Sequence, residues 1–112
     1  MGLRKTAFVS GVSMYPTLKD GDMIFFKAYI YGKTRISIGD IIILNHPLKN
    51  IILIKRIKSI SKFGIEVSGD NKDFSSDSDS FGLVQQEKIL GIYSTKISYL
   101  FFKRLRYLLN SQ

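Results

Sequence analysis

The sequence predicts a mainly β domain of short antiparallel strands, and three observations support this fold class. The length of 112 residues suits one domain. Hydrophobic residues make up 45% of the chain and there are only 2 prolines, so burial of apolar surface can offset the entropy lost on folding. Short β-branched runs alternate with Gly, Asp, Asn and Ser, a pattern typical of strands and turns.

Six such runs predict six strands. Turn-forming residues at 20–22 and 39–40 stand at the start of two of them. Residues 69–80 are rich in Ser and Asp and, taken alone, indicate a solvated surface loop. We expect the strands at residues 6–9, 23–27, 40–44, 51–57, 65–68 and 89–97.

The C-terminal segment, residues 96–112, has the pattern of a basic amphipathic helix. Apolar residues recur at helical spacing, and basic residues lie mostly around the other side. The helix either packs on the β domain or lies at a membrane surface as a peripheral contact. The apolar stripe is Ile97, Leu100, Phe101, Leu105, Leu108 and Leu109.

Composition excludes several classes of function. The chain has no cysteine and one histidine, which excludes thiol catalysis and zinc sites built from several Cys or His ligands, so we expect no metal or cofactor. The net charge of +8 comes without a nucleic-acid motif, and we expect no nucleic-acid partner. No apolar run approaches the ~18 residues of a membrane span, and none forms a signal-peptide core, which predicts a cytoplasmic protein.

Ser13 is the candidate nucleophile. It follows the first predicted strand in a bend, because Gly11 relaxes the backbone and Pro16 fixes its own φ. A serine hydroxyl is barely ionised at neutral pH, so it needs a general base. His46 is the only imidazole available for a histidine-dependent mechanism, and it lies in a predicted turn.

Lys55 is the better candidate for the base. Strand alternation places it on one face with Leu53 and Ile57, while Arg56 points to the other face. Burial among apolar neighbours disfavours the ammonium form and lowers the pKa of a lysine, which allows it to accept a proton near neutral pH.

Four motifs follow one another along the chain: SMYPTL at residues 13–18, Gly39-Asp40, Lys55-Arg56-Ile57 and GDNKDFSSDS at residues 69–78. In this order they resemble the motifs of type I signal peptidases, over about residues 9–92. The resemblance implies a signal-peptidase-like catalytic domain at residues 1–95 and a serine endopeptidase activity.

The resemblance also implies roles for individual residues. Ser13 attacks the scissile carbonyl, Lys55 removes its proton, and Ser75 orients the lysine amine. Gly11 and Met14 shape the turn of the nucleophile. The supporting residues of the last motif are Asp70, Asn71 and Asp77.

Two positions depart from the family pattern. Some members have a side-chain hydroxyl two positions before the nucleophile, where this chain has Gly11, with Ser10 displaced by one. The Ser13 backbone N–H is then the surer oxyanion donor. Asp79 replaces the arginine of the last motif, so a local Asp–Arg pair cannot form. This departure is the main support for an alternative function, that of an inactive binding module.

The compact chain, with Asn45-His46-Pro47 and Phe81-Gly82, resembles the nickel-type superoxide dismutase maturation proteases. This resemblance predicts that the enzyme removes an N-terminal extension from a precursor of nickel superoxide dismutase. The alternative is a general leader peptidase that acts on membrane-bound precursors. A self-cleaving repressor shares Ser-Lys chemistry but needs a DNA-binding domain and an internal cleavage segment, which this chain lacks.

Overall fold

The computed structural model describes residues 4–73, 81–96 and 107–109, and their architecture is one antiparallel sheet. All six predicted strands are present, which confirms the mainly β fold class. The strands are β1 (Arg4–Phe8), β2 (Met23–Ala28), β3 (Ile41–Asn45), β4 (Ile52–Ser61), β5 (Gly64–Ser68) and β6 (Ile89–Lys96), and a short 3-10 helix spans Gln86–Lys88. The order across the sheet is β1-β2-β6-β3-β4-β5.

The largest difference from the predicted strands is the length of β4. It continues past Ile57 to Ser61, because residues 56–61 pair with β5 across a tight hairpin. Ser59 donates a side-chain hydrogen bond of 2.9 Å to Glu66 on the neighbouring strand. Serines normally indicate turns, so the sequence alone suggested an earlier end, whereas cross-strand pairing keeps these residues extended.

The sheet carries a hydrophobic core on each face, and β3 contributes to both. Its alternate residues separate: Ile42 and Leu44 belong to the first core, and Ile41 and Ile43 to the second. This explains the uninterrupted apolar run at 41–44. The first core also contains Ile57, Ile65, Val67, Val84 and Ile89, and the second Val9, Met14, Leu18 and Ile24.

A C-terminal helix is present, as predicted: Tyr107, Leu108 and Leu109 are helical, and each is more than half exposed. The other residues of the predicted apolar stripe lie outside the described part of the chain. The domain boundary at residue 95 remains a prediction. Among the described residues, no helix is long and apolar enough to cross a bilayer.

Candidate active site

Ser13 lies in a tight turn between β1 and β2. The turn begins at Gly11, whose φ of +89° is in the left-handed region that favours glycine and whose N–H donates to Asp20 Oδ1 at 2.7 Å. It closes with a hydrogen bond of 2.9 Å from Leu18 N to Met14 O. Both Met14 and Leu18 are buried in the second core, whereas Ser13 is half-buried. Two buried neighbours therefore anchor the turn and leave the serine near the surface.

Lys55 is buried in β4. Its side chain is 2% exposed, and it lies opposite Ile42 in the β3–β4 register. Lys55 is the only buried polar or charged side chain among the described residues, and its nitrogen is not left without a partner. Burial disfavours the ammonium form of a lysine, and a lysine that acts as a general base must be neutral.

Arg56, the next residue, points to the other face of β4 and clamps the loop after β5. Its Nε and Nη2 donate to the two carboxylate oxygens of Asp70 at 2.8 and 2.7 Å. This pair of charge-assisted bonds has the bidentate geometry that arginine favours with carboxylates. The hydrogen bonds from Arg56 are the main reason that the pKa of Asp70 is lowered, and the bond from Thr17 lowers it further.

Asp70 and Asn71 connect this clamp to the turn of Ser13. Thr17 donates its hydroxyl to Asp70 Oδ2 at 2.5 Å. Asn71 holds the same turn by two bonds, from its N–H to Ser13 O at 2.8 Å and from its side-chain amide to Val12 O at 3.1 Å. The turn is thus fixed from outside by the loop that follows β5.

The segment at Gly39 and Asp40 joins the same network. Arg56 Nη1 donates to Gly39 O at 2.7 Å. Gly39 N–H donates to Ile57 O, and Ile57 N–H donates to Asp40 O, both at 2.8 Å. Four segments that are far apart in the sequence therefore meet around Arg56. They are residues 12–18, 39–40, 55–57 and 70–71.

Ser13 borders a cleft of about 300 Å³, which we call the apolar cleft. Lys55 is not among the residues that line it, although the two preceding residues of β4 are. Ser10 also lines the cleft, so a hydroxyl is present one position away from the site that some signal peptidases use. The lining is Ala7, Phe8, Val9, Ser10, Ser13, Met14, Ile43, Ile52, Leu53 and Ile54.

Comparison with protein families decides the assignment. A family model described as signal peptidase, peptidase S26, matches residues 1–61, which is more than half of the chain. The chain belongs to this family. It is therefore a peptidase of the signal peptidase type, and its substrate is a protein. A comparison with curated proteins found no match.

The match to the signal peptidase family covers Ser13, Gly39 and Lys55 but ends before the loop after β5. That loop is connected to the matched region by the bonds of Asp70 and Asn71. Residues 69–71 therefore lie outside the part of the sequence that matches the family, but hydrogen bonds connect them to it.

His46 has a structural role in the turn after β3. Its Nδ1 accepts hydrogen bonds from Leu48 N at 2.9 Å and Lys49 N at 3.0 Å. A neutral imidazole that accepts at Nδ1 carries its proton on Nε2, so neither nitrogen is free to take a proton from serine. The ring also packs against Phe81 with centroids 4.8 Å apart. These contacts argue against the histidine mechanism.

Ser75 and Asp77, as well as the divergent Asp79, lie outside the described residues, and their roles remain predictions.

Sequence reasoning missed the clamp of Arg56 and the contacts of Thr17 and Asp20. Alternation did place Arg56 on the face opposite to Lys55. The available signal was an arginine on a half-buried strand face together with an acidic loop residue, but their pairing depends on the tertiary structure. Among the described residues, no group of His, Asp or Glu has the arrangement of a metal site.

Proposed function

We propose that this member of the signal peptidase family is a serine endopeptidase with a Ser13–Lys55 dyad. Its substrate is a cytoplasmic precursor of nickel-type superoxide dismutase, from which it removes an N-terminal extension. The observation that carries the catalytic proposal is the hydrogen-bond network around Arg56, which joins the turn of Ser13, the strand of Lys55 and the Asp70-Asn71 loop.

In the proposed reaction, neutral Lys55 accepts the proton of Ser13 as Oγ attacks the scissile carbonyl carbon. The resulting oxyanion accepts a hydrogen bond from the Ser13 N–H. Within the described residues this N–H donates to no protein acceptor. The lysine ammonium then gives its proton to the leaving amine, and water attacks the acyl-enzyme to regenerate Ser13.

Two open strand edges support binding of the substrate as an extended peptide. In the described residues, β1 pairs only with β2, and its residues Ala7 and Phe8 line the apolar cleft. Residues 52–54 of β4 also line the cleft, and pairing with β5 begins only at Arg56. A peptide strand added at either edge gains backbone hydrogen bonds that align its scissile bond.

The packing of His46 on Phe81 supports the narrower substrate assignment. It brings together the two features, at 45–47 and 81–82, on which the resemblance to nickel superoxide dismutase maturation proteases rests. A general leader peptidase is the second candidate. The exposed apolar side chains of Tyr107, Leu108 and Leu109 favour it, because such a helix surface suits contact with a membrane.

Cleavage of the precursor tests this assignment. Nickel superoxide dismutase precursor is co-expressed with the wild-type enzyme or with Ser13→Ala, and its N-terminus is determined by mass spectrometry. We expect a single new N-terminus with the wild-type enzyme and none with Ser13→Ala. An intact precursor, together with efficient cleavage of membrane-bound leader peptides, would favour the general leader peptidase.

A further inference from the structure

A second and larger cleft lies on the β1–β2–β6 half of the sheet. Its volume is about 750 Å³, within the range of ligand pockets, which is roughly 300–1,000 Å³. No carboxylate occurs among its lining residues in the described part of the chain. Ile92 and Tyr93 of β6 supply apolar surface. The four basic residues that line it are Lys5, Lys27, Lys33 and Arg35, and we call it the basic cleft.

The backbone fixes the positions of these cations. Lys5 and Lys27 lie on the paired strands β1 and β2, where Lys5 is opposite Phe26 and Lys27 is opposite Arg4, so they border the cleft from different faces of the sheet. Lys33 lies in a turn closed by hydrogen bonds from Lys33 N and Thr34 N to Ile30 O, at 3.0 and 2.9 Å, and from Ile30 N to Thr34 Oγ1 at 2.9 Å. The turn therefore presents its basic residues in a defined geometry.

The charge of the basic cleft is not neutralised by the described residues. The three ion pairs among the described residues are formed by Arg56, Lys58 and Lys96, and none of them involves a basic residue of the cleft. Several like charges close to one cleft produce a positive potential that attracts an anionic ligand. The chemistry of the cleft thus favours a ligand with several negative charges and some apolar surface.

We propose that the basic cleft binds an acidic segment of the peptide substrate and so contributes to substrate selection. This inference rests on the proposed endopeptidase function. Lys5 of the basic cleft and Phe8 of the apolar cleft lie on the same edge strand, β1, on its opposite faces, so a peptide that runs along this edge passes both clefts. Three residues of a strand span roughly 10 Å, and an extended peptide covers that distance with about three residues.

The geometry distinguishes a peptide from a membrane as the occupant. A concave cleft that adjoins a peptide-binding strand suits an extended chain, whereas a bilayer presents a broad surface. The selected substrate should therefore carry acidic residues about three to six positions from those held in the apolar cleft. Each exposed ion pair should change affinity by about twofold to fivefold at low salt, and added salt should weaken this effect.

Direct binding to Ser13→Ala tests the proposal without cleavage. The probes are two fluorescent precursor peptides that differ only in a run of glutamates or glutamines at this spacing. We expect the glutamate peptide to bind more tightly, and Lys33→Glu/Arg35→Glu in the same background to weaken it by about tenfold or more. Lys33→Gln/Arg35→Gln should give an intermediate loss. Lys62→Glu/Lys88→Glu is the matched control, because neither lysine lines the basic cleft.

Cleavage by the enzyme with Ser13 intact separates the two proposals. Charge reversal at Lys33 and Arg35 should lower kcat/KM for the glutamate peptide and leave that for the glutamine peptide unchanged.

Equal binding and equal cleavage of both peptides would overturn the basic-cleft proposal while the endopeptidase stands. Charge-dependent binding with no cleavage by the unmodified enzyme would refute the peptidase proposal and retain the acidic-segment site. Cleft-dependent binding to anionic phospholipid vesicles, without binding to the glutamate peptide, would overturn the peptide as occupant.

Discussion

Two adjacent residues, Lys55 and Arg56, have opposite environments and opposite roles. Lys55 is 2% exposed and lies on the face of Ile42. Arg56 is half-buried on the other face, where hydrogen bonds to Asp70 raise its pKa and keep it charged. Strand alternation thus separates a candidate proton acceptor from a permanent cation within one dipeptide.

The dyad proposal predicts the effects of single substitutions. Ser13→Ala removes the nucleophile, and Lys55→Met replaces the amine with an apolar group of similar length, so each should lower kcat/KM for a precursor peptide by at least about a thousandfold. Circular dichroism should show that both variants remain folded. His46→Asn is the control, because an asparagine side-chain oxygen can accept the same turn bonds, and it should retain activity. Near-wild-type turnover by purified Ser13→Ala or Lys55→Met would eliminate the dyad.

At the scale of elements, the strands were predictable from the sequence and the clamp was not. The apolar run 41–44 and the alternating run 53–57 carry the periodicity of buried strands, and both occupy the expected places in the sheet. The bonds that connect Arg56 and Thr17 to Asp70 span 14 and 53 residues of sequence. Such pairs depend on how strands and loops pack, and no local pattern specifies them.

The clamp predicts a specific loss of stability at Asp70. Asp70→Asn removes a carboxylate that accepts two bonds from Arg56 and one from Thr17, and it should lower the free energy of unfolding by about 1–3 kcal/mol. Urea unfolding at neutral pH measures this change. Asp73→Asn is the matched control, because Asp73 is exposed and should contribute little. Equal unfolding midpoints for the two variants would show that the clamp does not stabilise the fold.

For the whole molecule, the sequence correctly predicted the fold class, but it did not predict how the turn of Ser13 is held, and the catalytic roles of Ser13 and Lys55 remain predictions. The turn of Ser13 depends on Met14 and Leu18 in the second core and on Asn71 from a distant loop. Cores on both faces allow the one sheet to bury Lys55 and also support that turn. Ser75 and Asp77 remain predictions from the resemblance, since they lie outside the described residues.

The two ionising groups predict that acid inactivates the enzyme before it unfolds it. The folded-state pKa of Asp70 is held below its ordinary value of 3.8, chiefly by hydrogen bonds from Arg56. Its stabilising contribution is therefore present above pH 3.8 and is lost as the pH falls through the lowered pKa. Activity also declines as the pH falls, because a lysine base must be the neutral amine and acid protonates it.

The fall in kcat/KM should consequently lie at higher pH than acid unfolding, with a range between them in which the protein is folded, inactive and fully reactivated by return to neutral pH. Peptide cleavage and circular dichroism measured across the same buffers test this separation. Asp70→Asn should shift the unfolding limb, because it removes the carboxylate that Arg56 and Thr17 hold. Coincident limbs in the wild-type protein would mean that unfolding, and not protonation of Lys55, causes the loss of activity.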